Sequence, residues 1–371
     1  MKNKKLLVLL VTTVLVIVFA VMMNRQRAPA TSLQQAFLFP GLLEEVNNIS
    51  VIKISKQDKT LTLSQQNNQW VLEEADNYPA DFARIRTTAL AIAEMTVLAE
   101  KTSKAERYER LGVEQPSFDN DAALLSLHNN TGTSLASLII GNSRHSKAAE
   151  DKPGLYVRLA DAQQALLVEG KLDISVEAND WLQLELFNID ANRVKEIKIV
   201  HADGDTLKLK RESGTDDFSL ENLAEGKEMQ PAAIISRMGT MLEDVSAENV
   251  RKSVDPYAAQ KSTASIQTFN GLIINISSAQ VDDNNYSTFN FSVADIPVQV
   301  TELESEATVE TANEKPEPVA EASRLNELMS GWTYIMPHFK YELFTRKKGS
   351  LSKDTEKTEE PAGEEEVPAS E

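Results

Sequence analysis

Apolar residues at every second position predict that much of the chain forms β-strands. The segment "VNNISVIKIS" at 46–55 places Ile52 and Ile54 on one face, and "ANRVKEIKIV" at 191–200 does the same with Ile197 and Ile199. Further short apolar strands follow in each region, at 60–64 and 70–72 in the first and at 206–210 and 218–220 in the second. Each region is therefore predicted to begin as an antiparallel meander with one buried face.

A helix is predicted after each meander. Asp81 is expected to cap the first helix, because its carboxylate can accept hydrogen bonds from free amides of the first turn. Apolar residues at spacings of three and four then form one face in each region, namely Phe82, Ile85, Ala89 and Ile92 in the first and Ile234, Met238, Met241 and Val245 in the second. We expect Val97 and Val245 to end their helices.

The segments after the helices also match in order. Hairpins are predicted at 122–141 and 263–278, and paired strands at 155–160 with 165–169 and at 287–293 with 297–300. Finally, "NDWLQLELF" at 179–187 matches "SGWTYIMPHF" at 330–339, which pairs Trp181 with Trp332. The pattern predicts an α+β fold of two tandem repeats, each a largely antiparallel sheet with a packed helix.

The repeats set the predicted domain boundaries. Repeat one covers 38–190 and repeat two covers 191–349. Segment 302–322 holds seven acidic residues and one lysine, so we expect a solvated acidic loop inserted in repeat two. Segment 350–371 is similarly acidic and is expected to be a disordered tail.

The first residues predict a membrane anchor. Segment 6–23, "LLVLLVTTVLVIVFAVMM", is an uncharged apolar run near the minimum length of a membrane-spanning helix. The lysines Lys2, Lys4 and Lys5 precede it and Arg25 and Arg27 follow it, so the flanking charges are nearly balanced. The amino terminus adds a charge, and a short segment ahead of a long soluble body usually stays inside, so we expect a cytoplasmic amino terminus with the body outside the cytoplasm. We therefore assign 1–27 to a cytoplasmic stub and transmembrane anchor. The alternative is a cleaved signal peptide, because "APA" at 28–30 resembles a cleavage site.

Composition narrows the function classes. The 371-residue chain has a formal net charge of −18 and no basic stripe that would neutralise phosphates, so we predict no nucleic-acid partner. The chain has no cysteine, which excludes disulfides, thiolate metal sites, a cysteine nucleophile and a lipoprotein anchor.

Candidate chemistry is sparse. The histidines His128, His145, His201 and His338 lack metal-ligand spacing, and solvated surface positions are the simpler interpretation for His128 and His201. The acidic cluster Glu73, Glu74, Asp76 and Asp81 is expected to cap and solvate rather than catalyse. "SLSK" at 350–353 matches the S-x-x-K pattern without its partner motifs. We predict no enzyme activity and no catalytic, cofactor-binding or metal-binding residue.

One aromatic run is the most suggestive surface. It consists of Trp332, Tyr334, Phe339, Tyr341 and Phe344, and it is followed by the cations Arg346, Lys347 and Lys348. We expect it to pack in the core, because buried aromatic side chains commonly dominate cores. The alternative is that it forms an interface with a partner or with lipid headgroups.

The order of these motifs resembles a known family. The segments "LFPGLLEEVNNISVIKIS", "QWVLEEADNYPAD", "YERLGVEQP", "LIIG", "LYVRL" with "ALLVE", and "GWTYIMPHFKYELFTRKKGSL" are similar in content and order to members of the bacterial domain-of-unknown-function family DUF4340. The resemblance spans roughly residues 38–351. The second repeat departs from the pattern because it lacks a clear "YxxLG" element.

The resemblance implies an envelope protein that is tethered to the inner membrane and faces the periplasm. Some members are similar to auxiliary components encoded beside ABC-type transporters, including those linked to gliding motility. The resemblance supplies no catalytic residues.

Two functional hypotheses follow. In the first, the protein is a non-enzymatic scaffold or accessory subunit that binds an envelope or transporter-type protein partner. In the second, it is an envelope hydrolase or ligand-binding protein with a site in the cleft between the repeats, since binding sites favour domain interfaces.

Overall fold

The computed structural model of the chain describes residues 36–144, 153–223, 225–253, 261–294 and 317–354. Its contacts separate two units, of which the first ends at Leu182 and the second begins at Gln183. The predicted anchor at 6–23, like all of 1–27, lies outside the described residues. Among the described residues, no helix combines the length and apolar character that a bilayer crossing requires.

The first unit is built on one antiparallel sheet. Its strands are β1 Ile49–Lys56, β2 Lys59–Gln66, β3 Gln69–Leu72, β4 Tyr78–Pro79, β5 Thr96–Thr102, β6 Ala123–Asn129, β7 Ser134–Arg144, β8 Gly154–Leu159 and β9 Ala165–Glu169. They follow the order β4-β3-β2-β1-β6-β7-β8-β9-β5. Two helices accompany the sheet, α1 Leu42–Glu45 and α2 Phe82–Ala93.

The predicted meander of the first unit is confirmed. Ile52 pairs with Leu63 and Ile54 with Leu61, and these side chains are buried, as the period-two pattern requires. A two-residue turn, Asn67–Asn68, joins β2 to β3, and both residues have positive φ. Asparagine tolerates this left-handed conformation, so the connection can be this short.

Helix α2 begins where the sequence predicts. Asp81 Oδ1 accepts hydrogen bonds from the backbone N–H groups of Ala83 at 2.8 Å and Arg84 at 3.2 Å. Ile85, Ala89 and Ile92 are buried, but the prediction for Phe82 was wrong because its residue is 60% exposed. Phe82 is the first helical residue, and its ring lies at a groove rather than against the sheet.

The second unit contains a larger set of elements. Its strands are β10 Glu185–Phe187, β11 Val194–Val200, β12 Thr206–Lys210, β13 Ser219–Leu220, β14 Lys227–Met229, β15 Val245–Ser246, β16 Asn249–Lys252, β17 Ser262–Thr268, β18 Leu272–Val281, β19 Asn284–Val293, β20 Trp332–Ile335 and β21 Ser352–Asp354. Its helices are α3 Ala232–Ile235, α4 Pro318–Met329 and α5 His338–Phe344.

The main sheet of the second unit has eight strands in the order β13-β12-β11-β17-β18-β19-β20-β16. Two small antiparallel pairs, β10-β15 and β14-β21, accompany it. The predicted hairpins in both units are confirmed, since β6 pairs with β7 and β17 with β18. The fold class is therefore α+β with mostly antiparallel sheets and few helices.

The helix predicted in the second unit is only partly α-helical. After α3, residues Ser236–Leu242 form a 3₁₀ helix that buries Met238 and Met241. Ile234 is 44% exposed, so its predicted place on the buried face was wrong. Glycine and serine within this segment favour the α-helix weakly, which is consistent with its early end.

The predicted helix ends at Val97 and Val245 were also wrong. Helix α2 ends at Ala93, and Val97 lies in β5. Val245 lies in β15, after the 3₁₀ segment has ended at Leu242. Both valines thus belong to the strand that follows the helix.

The predicted acidic loop needs correction at its end. Residues 302–316 lie outside the described residues, but Pro318 begins α4 and Glu321 is buried. Arg193 donates two hydrogen bonds to the Glu321 carboxylate, at 3.0 and 2.6 Å. A buried carboxylate requires such a partner, so this acid belongs to the packed unit and not to a solvated loop.

The start of the predicted tail is likewise ordered. Leu351 is buried, and Ser352–Asp354 pair with β14. Residues 355–371 of the predicted tail lie outside the described residues.

The proposed equivalence of Trp181 and Trp332 was wrong. Trp181 follows the 3₁₀ turn Ala178–Asp180, and its carbonyl accepts the N–H of Asp81 at 2.7 Å. Trp332 instead begins β20 and pairs with Lys252 of β16. The two rings therefore have unrelated surroundings.

Leu351 makes the contacts in the second unit that Trp181 makes in the first. Leu351 closes the 3₁₀ turn Lys348–Leu351, and its carbonyl accepts the N–H of Gln230 at 2.9 Å, just ahead of α3. The next residue of each pair continues the match, since Leu182 bridges to Ala80 and Ser352 pairs with Met229. Trp181 and Leu351 therefore occupy corresponding positions, each at the end of a 3₁₀ turn that hydrogen-bonds to the backbone ahead of a helix. We refer to these two positions as the corners of the units.

Residues 183–190, which the repeat alignment placed in repeat one, contact the second unit. Phe187 pairs with Val245, and the N–H of Ile189 donates to Leu242 O at 2.8 Å. In the first unit Ala36–Leu38 make the similar contacts, because Phe37 bridges to Thr96 and the N–H of Leu38 donates to Met95 O. Each unit therefore begins with a short segment that pairs with the strand after the helix.

Candidate functional site

An open groove of about 470 Å³ runs beside α2 in the first unit. Strands β1, β2 and β3 supply its floor, α2 forms one wall, and α1 with the turn after it forms the other. Its lining residues are Leu43, Val46, Asn47, Ile49, Ile52, Gln65, Trp70, Phe82, Ile85, Arg86, Ala89 and Leu90. We refer to this feature as the α2 groove.

The α2 groove is apolar at its base and exposed at its rim. Ile49, Ile52 and Trp70 are buried at the base. Leu43 and Phe82 stand at the rim and are 50% and 60% exposed. Large apolar side chains that remain exposed around a concave apolar surface are typical of a binding site for another molecule.

Arg86 gives the α2 groove its single charge. Its guanidinium forms no ion pair or hydrogen bond with any residue of the described chain. Asn47 and Gln65 are the other polar lining residues. The groove therefore offers an apolar surface with one cation and no lining carboxylate.

In the second unit the corresponding position is filled by the chain itself. Strand β12 is followed by an eight-residue loop, 211–218, before β13. Arg211 donates hydrogen bonds to Val194 O at 2.7 Å, to Gly214 O at 2.9 Å and to Ala191 O. Its guanidinium also lies 4.4 Å from the centre of the Phe218 ring.

The Arg211 side chain fills this position. Burial lowers its pKa, although Asp216 and Asp190 oppose the shift. Because three carbonyls accept its hydrogen bonds, the charged head is satisfied inside the unit. Gln65, at the equivalent strand position in the first unit, makes no such closure and lines the open groove.

The acidic cluster of the first unit has structural roles at two of its four positions. Asp81 caps α2, as predicted, and Glu74 Oε2 accepts the N–H of Thr62 at 2.8 Å. Asp76 has a left-handed backbone at the end of a 3₁₀ turn. No group of three or more acidic or histidine residues within the described chain is arranged to hold a metal ion.

The histidines occupy different environments. His128 contacts the Ser126 hydroxyl at 3.2 Å, and His338 is an exposed side chain of α5 that lies beside Glu342. The solvated position predicted for His201 was wrong, because His201 is buried, with Nδ1 2.8 Å from Ser262 Oγ and Nε2 3.3 Å from Arg346 O. His145 lies outside the described residues.

The aromatic run is partly buried in a core. Tyr334 and Phe344 are fully buried, and both pack edge-on against Phe289, with ring centres 5.8 and 6.0 Å apart. Phe339 is exposed, so one member of the run faces solvent. The core prediction holds for the two buried rings.

The α2 groove was missed in the sequence because Phe82 was placed on the buried face. The signal was present in the connections after β2 and β12. The first has only "NN" before β3, whereas the second has "RESGTDDF", which begins with the arginine that fills the space. Loop length, and not strand pattern, distinguishes an open groove from a closed one here.

A family model described as a domain of unknown function, DUF4340, matches residues 70–265, which is more than half of the chain. The matched span begins in β3, beside the α2 groove, and ends in β17 of the second unit. Neither the curated proteins nor the solved structures gave a match.

Proposed function

The chain belongs to the DUF4340 family, and we propose that it is a membrane-anchored periplasmic accessory protein that docks a protein partner in its α2 groove. In this proposal it is a non-enzymatic subunit of an envelope or transporter-type complex. Its two units are two copies of one module, of which the first binds the partner.

The location rests on the amino-terminal sequence. The uncharged run 6–23 is long enough to cross a bilayer as a helix, and three lysines precede it. Resemblance to tethered periplasmic members of the family supports the same location.

The two-copy interpretation is supported by strand order. Omitting β4, the first sheet runs β3-β2-β1-β6-β7-β8-β9-β5, and the second sheet runs β13-β12-β11-β17-β18-β19-β20-β16. When the eight strands of each list are numbered by their order along the chain, the two lists become identical. Such agreement over eight strands is the expected result of duplicating one module.

The single observation that supports docking is the contrast between the α2 groove and its closed counterpart. The same space is filled by Arg211 in the second unit and is left open, with exposed Leu43 and Phe82, in the first. Exposing apolar side chains costs about 25 cal/mol per Å² relative to burial, so an open apolar groove is stabilised by an occupant.

The occupant is a protein segment with an apolar face and one carboxylate. Apolar side chains would cover the base and rim of the groove, and the carboxylate would pair with Arg86. A helix or strand from an envelope membrane protein can present both features at once.

Photo-crosslinking in intact cells tests this proposal. A photoreactive residue replaces Phe82 or Leu43 in turn, and Phe118 serves as the matched control because it is 75% exposed in the same unit but does not line the groove. We expect positions 82 and 43 to crosslink to one segment of one envelope protein, and position 118 not to do so. We also expect Phe82→Glu to reduce the crosslink from position 43 at least tenfold and Phe118→Glu to leave it unchanged.

Several results would count against the proposal. A crosslink to residues 28–35 of the same chain would mean that the groove is closed internally. A crosslink to lipid would replace the protein partner with the membrane. A cytoplasmic partner would contradict the location, and a partner segment without an acidic residue would contradict the role of Arg86.

A further inference from the structure

A second cavity, in the second unit, lies where strands β19 and β20 separate. The two strands pair only at Tyr286 with Ile335 and at Ser287 with Tyr334. Beyond this point β20 continues to pair with β16 as far as Trp332, while β19 continues with β18 on one edge and no strand on the other. The separation leaves a cavity of about 170 Å³.

On the far side of the cavity, this edge of β19 is hydrogen-bonded again at Phe291, four residues after Ser287. Asn326 of α4 takes the place of a neighbouring strand, because its side-chain amide donates to Phe291 O at 2.6 Å and accepts the N–H of Phe291 at 2.9 Å. On the other side of the cavity, Asn285 O accepts the N–H of Met336 at 2.7 Å. Strand β19 therefore has partners on both sides of the gap.

Phe289 lies in this gap. The backbone groups of a strand alternate in direction, so those of Phe289 point the same way as those of Asn285 and Phe291. Phe289 also lines the cavity. Its N–H and C=O thus present one donor and one acceptor to the cavity.

The rest of the lining is rich in hydroxyl groups and carries one cation. Ser277, Ser287, Thr288 and Thr333 contribute hydroxyls, and Lys261 contributes an ammonium group. Among the described residues that line the cavity there is no carboxylate, although the whole chain has a net charge of −18. A second cation lies close by, since the Arg251 guanidinium is 3.9 Å from the centre of the ring of Tyr286, which also lines the cavity.

From these observations we infer that the cavity between β19 and β20 binds a small organic carboxylate that carries a neighbouring hydroxyl or amide. The Lys261 ammonium and the hydroxyls of Ser277 and Thr288, which are paired across β18 and β19, donate to the carboxylate in charge-assisted hydrogen bonds. The other two hydroxyls are used within the protein, since Ser287 Oγ lies 2.8 Å from Ser278 Oγ and Thr333 donates to Ser253 Oγ. The hydroxyl or amide of the ligand pairs with the open backbone of Phe289. The volume is below the usual range for drug-sized ligands, so the ligand has few heavy atoms.

This inference is independent of partner docking in the first unit. It concerns a different unit, a polar instead of an apolar cavity, and a small molecule instead of a protein. Either proposal can fail without affecting the other.

Fluorine NMR of the full chain labelled with 5-fluorotryptophan tests the inference. Trp332 lines the cavity, whereas Trp70 and Trp181 lie in the first unit, so the Trp332 resonance reports on this site. The probe is lactate, and 1,2-propanediol is its neutral counterpart with the same carbon skeleton. We expect lactate to shift the Trp332 resonance in a saturable manner, and propanediol to require at least a tenfold higher concentration.

Variants connect the shift to the lining. Lys261→Met should raise the half-saturating lactate concentration about tenfold, which corresponds to about 1.4 kcal/mol. Lys198→Met is the matched control, because Lys198 is an exposed lysine of β11 that does not line the cavity. Thr288→Val provides a second test that keeps the side-chain shape and removes one hydroxyl, and it should weaken the response to lactate.

The inference is overturned if lactate leaves the Trp332 resonance unchanged, or if propanediol acts as strongly as lactate. A shift by inorganic phosphate without one by lactate would exclude a carboxylate ligand. Equal effects of Lys261→Met and Lys198→Met would show that only the general charge matters. A Trp332 resonance that stays distinct from its position in the urea-unfolded chain confirms that each ligand-free variant is folded.

Discussion

The two units order their main strands in the same way but treat the space beside their helices differently. In the first unit a two-residue turn joins β2 to β3, and the α2 groove remains open. In the second unit an eight-residue loop joins β12 to β13, and Arg211 fills the corresponding position. A shared strand order therefore does not determine whether a surface is available to a partner.

The comparison also shows how one structural task is met by different side chains. The corner that ends each unit is closed by Trp181 in the first and by Leu351 in the second, and in each case the backbone carbonyl accepts an N–H from just ahead of the helix. Trp181 adds an indole hydrogen bond to Ser175 O at 2.9 Å and a contact with Arg84 at 4.9 Å. The first corner thus has more side-chain interactions than the second.

The largest expected effect is the loss of these corner side chains. Trp181→Ala should lower the free energy of unfolding by about 4 kcal/mol and Leu351→Ala by about 3 kcal/mol, since truncating a buried tryptophan removes more packing than truncating a leucine. Urea unfolding combined with hydrogen exchange of the strands in each unit would measure both effects.

A conservative variant serves as the control for the tryptophan. Trp181→Phe keeps most of the ring volume and loses the indole N–H, so it should cost about 1–2 kcal/mol. If Leu351→Ala cost more than Trp181→Ala, the two corners would not correspond in the way that their backbone contacts indicate.

A smaller effect is expected at the matched positions Arg211 and Gln65. Arg211→Gln removes the donor to three carbonyls and should cost about 2–3 kcal/mol, because the buried carbonyls lose a charged partner. Gln65→Ala removes a side chain that lines an open groove, so its cost should stay within about 0.5 kcal/mol. Denaturant unfolding of the two variants gives the comparison directly.

Equal losses of unfolding free energy for the two substitutions would contradict the conclusion that Arg211 fills its position and Gln65 does not. Arg211→Lys distinguishes charge from geometry, because lysine keeps the charge but cannot donate along three fixed directions. We expect it to recover less than half of the loss.

Much of the strand pattern could be predicted from the sequence, since one buried face enforces alternation at positions such as Ile52, Ile54, Ile197 and Ile199. The cap at Asp81 was equally predictable, because a carboxylate ahead of an apolar helical face has a local role. These features depend on residues that are near one another in the chain.

The features that could not be predicted depend on distant contacts. Glu321 lies in an acidic segment whose composition suggests solvation, and only its pairing with Arg193, far along the chain, explains its burial. The match between Trp181 and Leu351 was hidden for the same reason, because backbone contacts define it and the side chains differ. The cavity at Phe289 likewise requires the register of β19 and β20, which no local pattern gives.

The smallest expected effect is a pH dependence confined to the second unit. Lys340 is buried, and its ammonium donates to Thr240 O at 3.4 Å and to Glu243 O, at the end of the 3₁₀ helix. Helix α2 in the first unit ends instead on its own backbone hydrogen bonds, with the N–H of Glu94 donating to Leu90 O. Burial lowers the pKa of Lys340 below its ordinary value of 10.5, although Asp244 and Glu243 oppose the shift.

The sign of the pH effect follows from proton binding. Between the lowered pKa of folded Lys340 and 10.5, the unfolded chain binds more protons at this lysine, so its contribution to the free energy of unfolding rises with pH. Lys340→Met removes this contribution. The difference in unfolding free energy, wild type minus variant, should therefore increase from neutral pH to 10.5, as measured by urea midpoints at a series of pH values. A flat or falling difference would mean that the lysine is solvated in the folded unit, and the two units would then end their helices with no difference in buried charge.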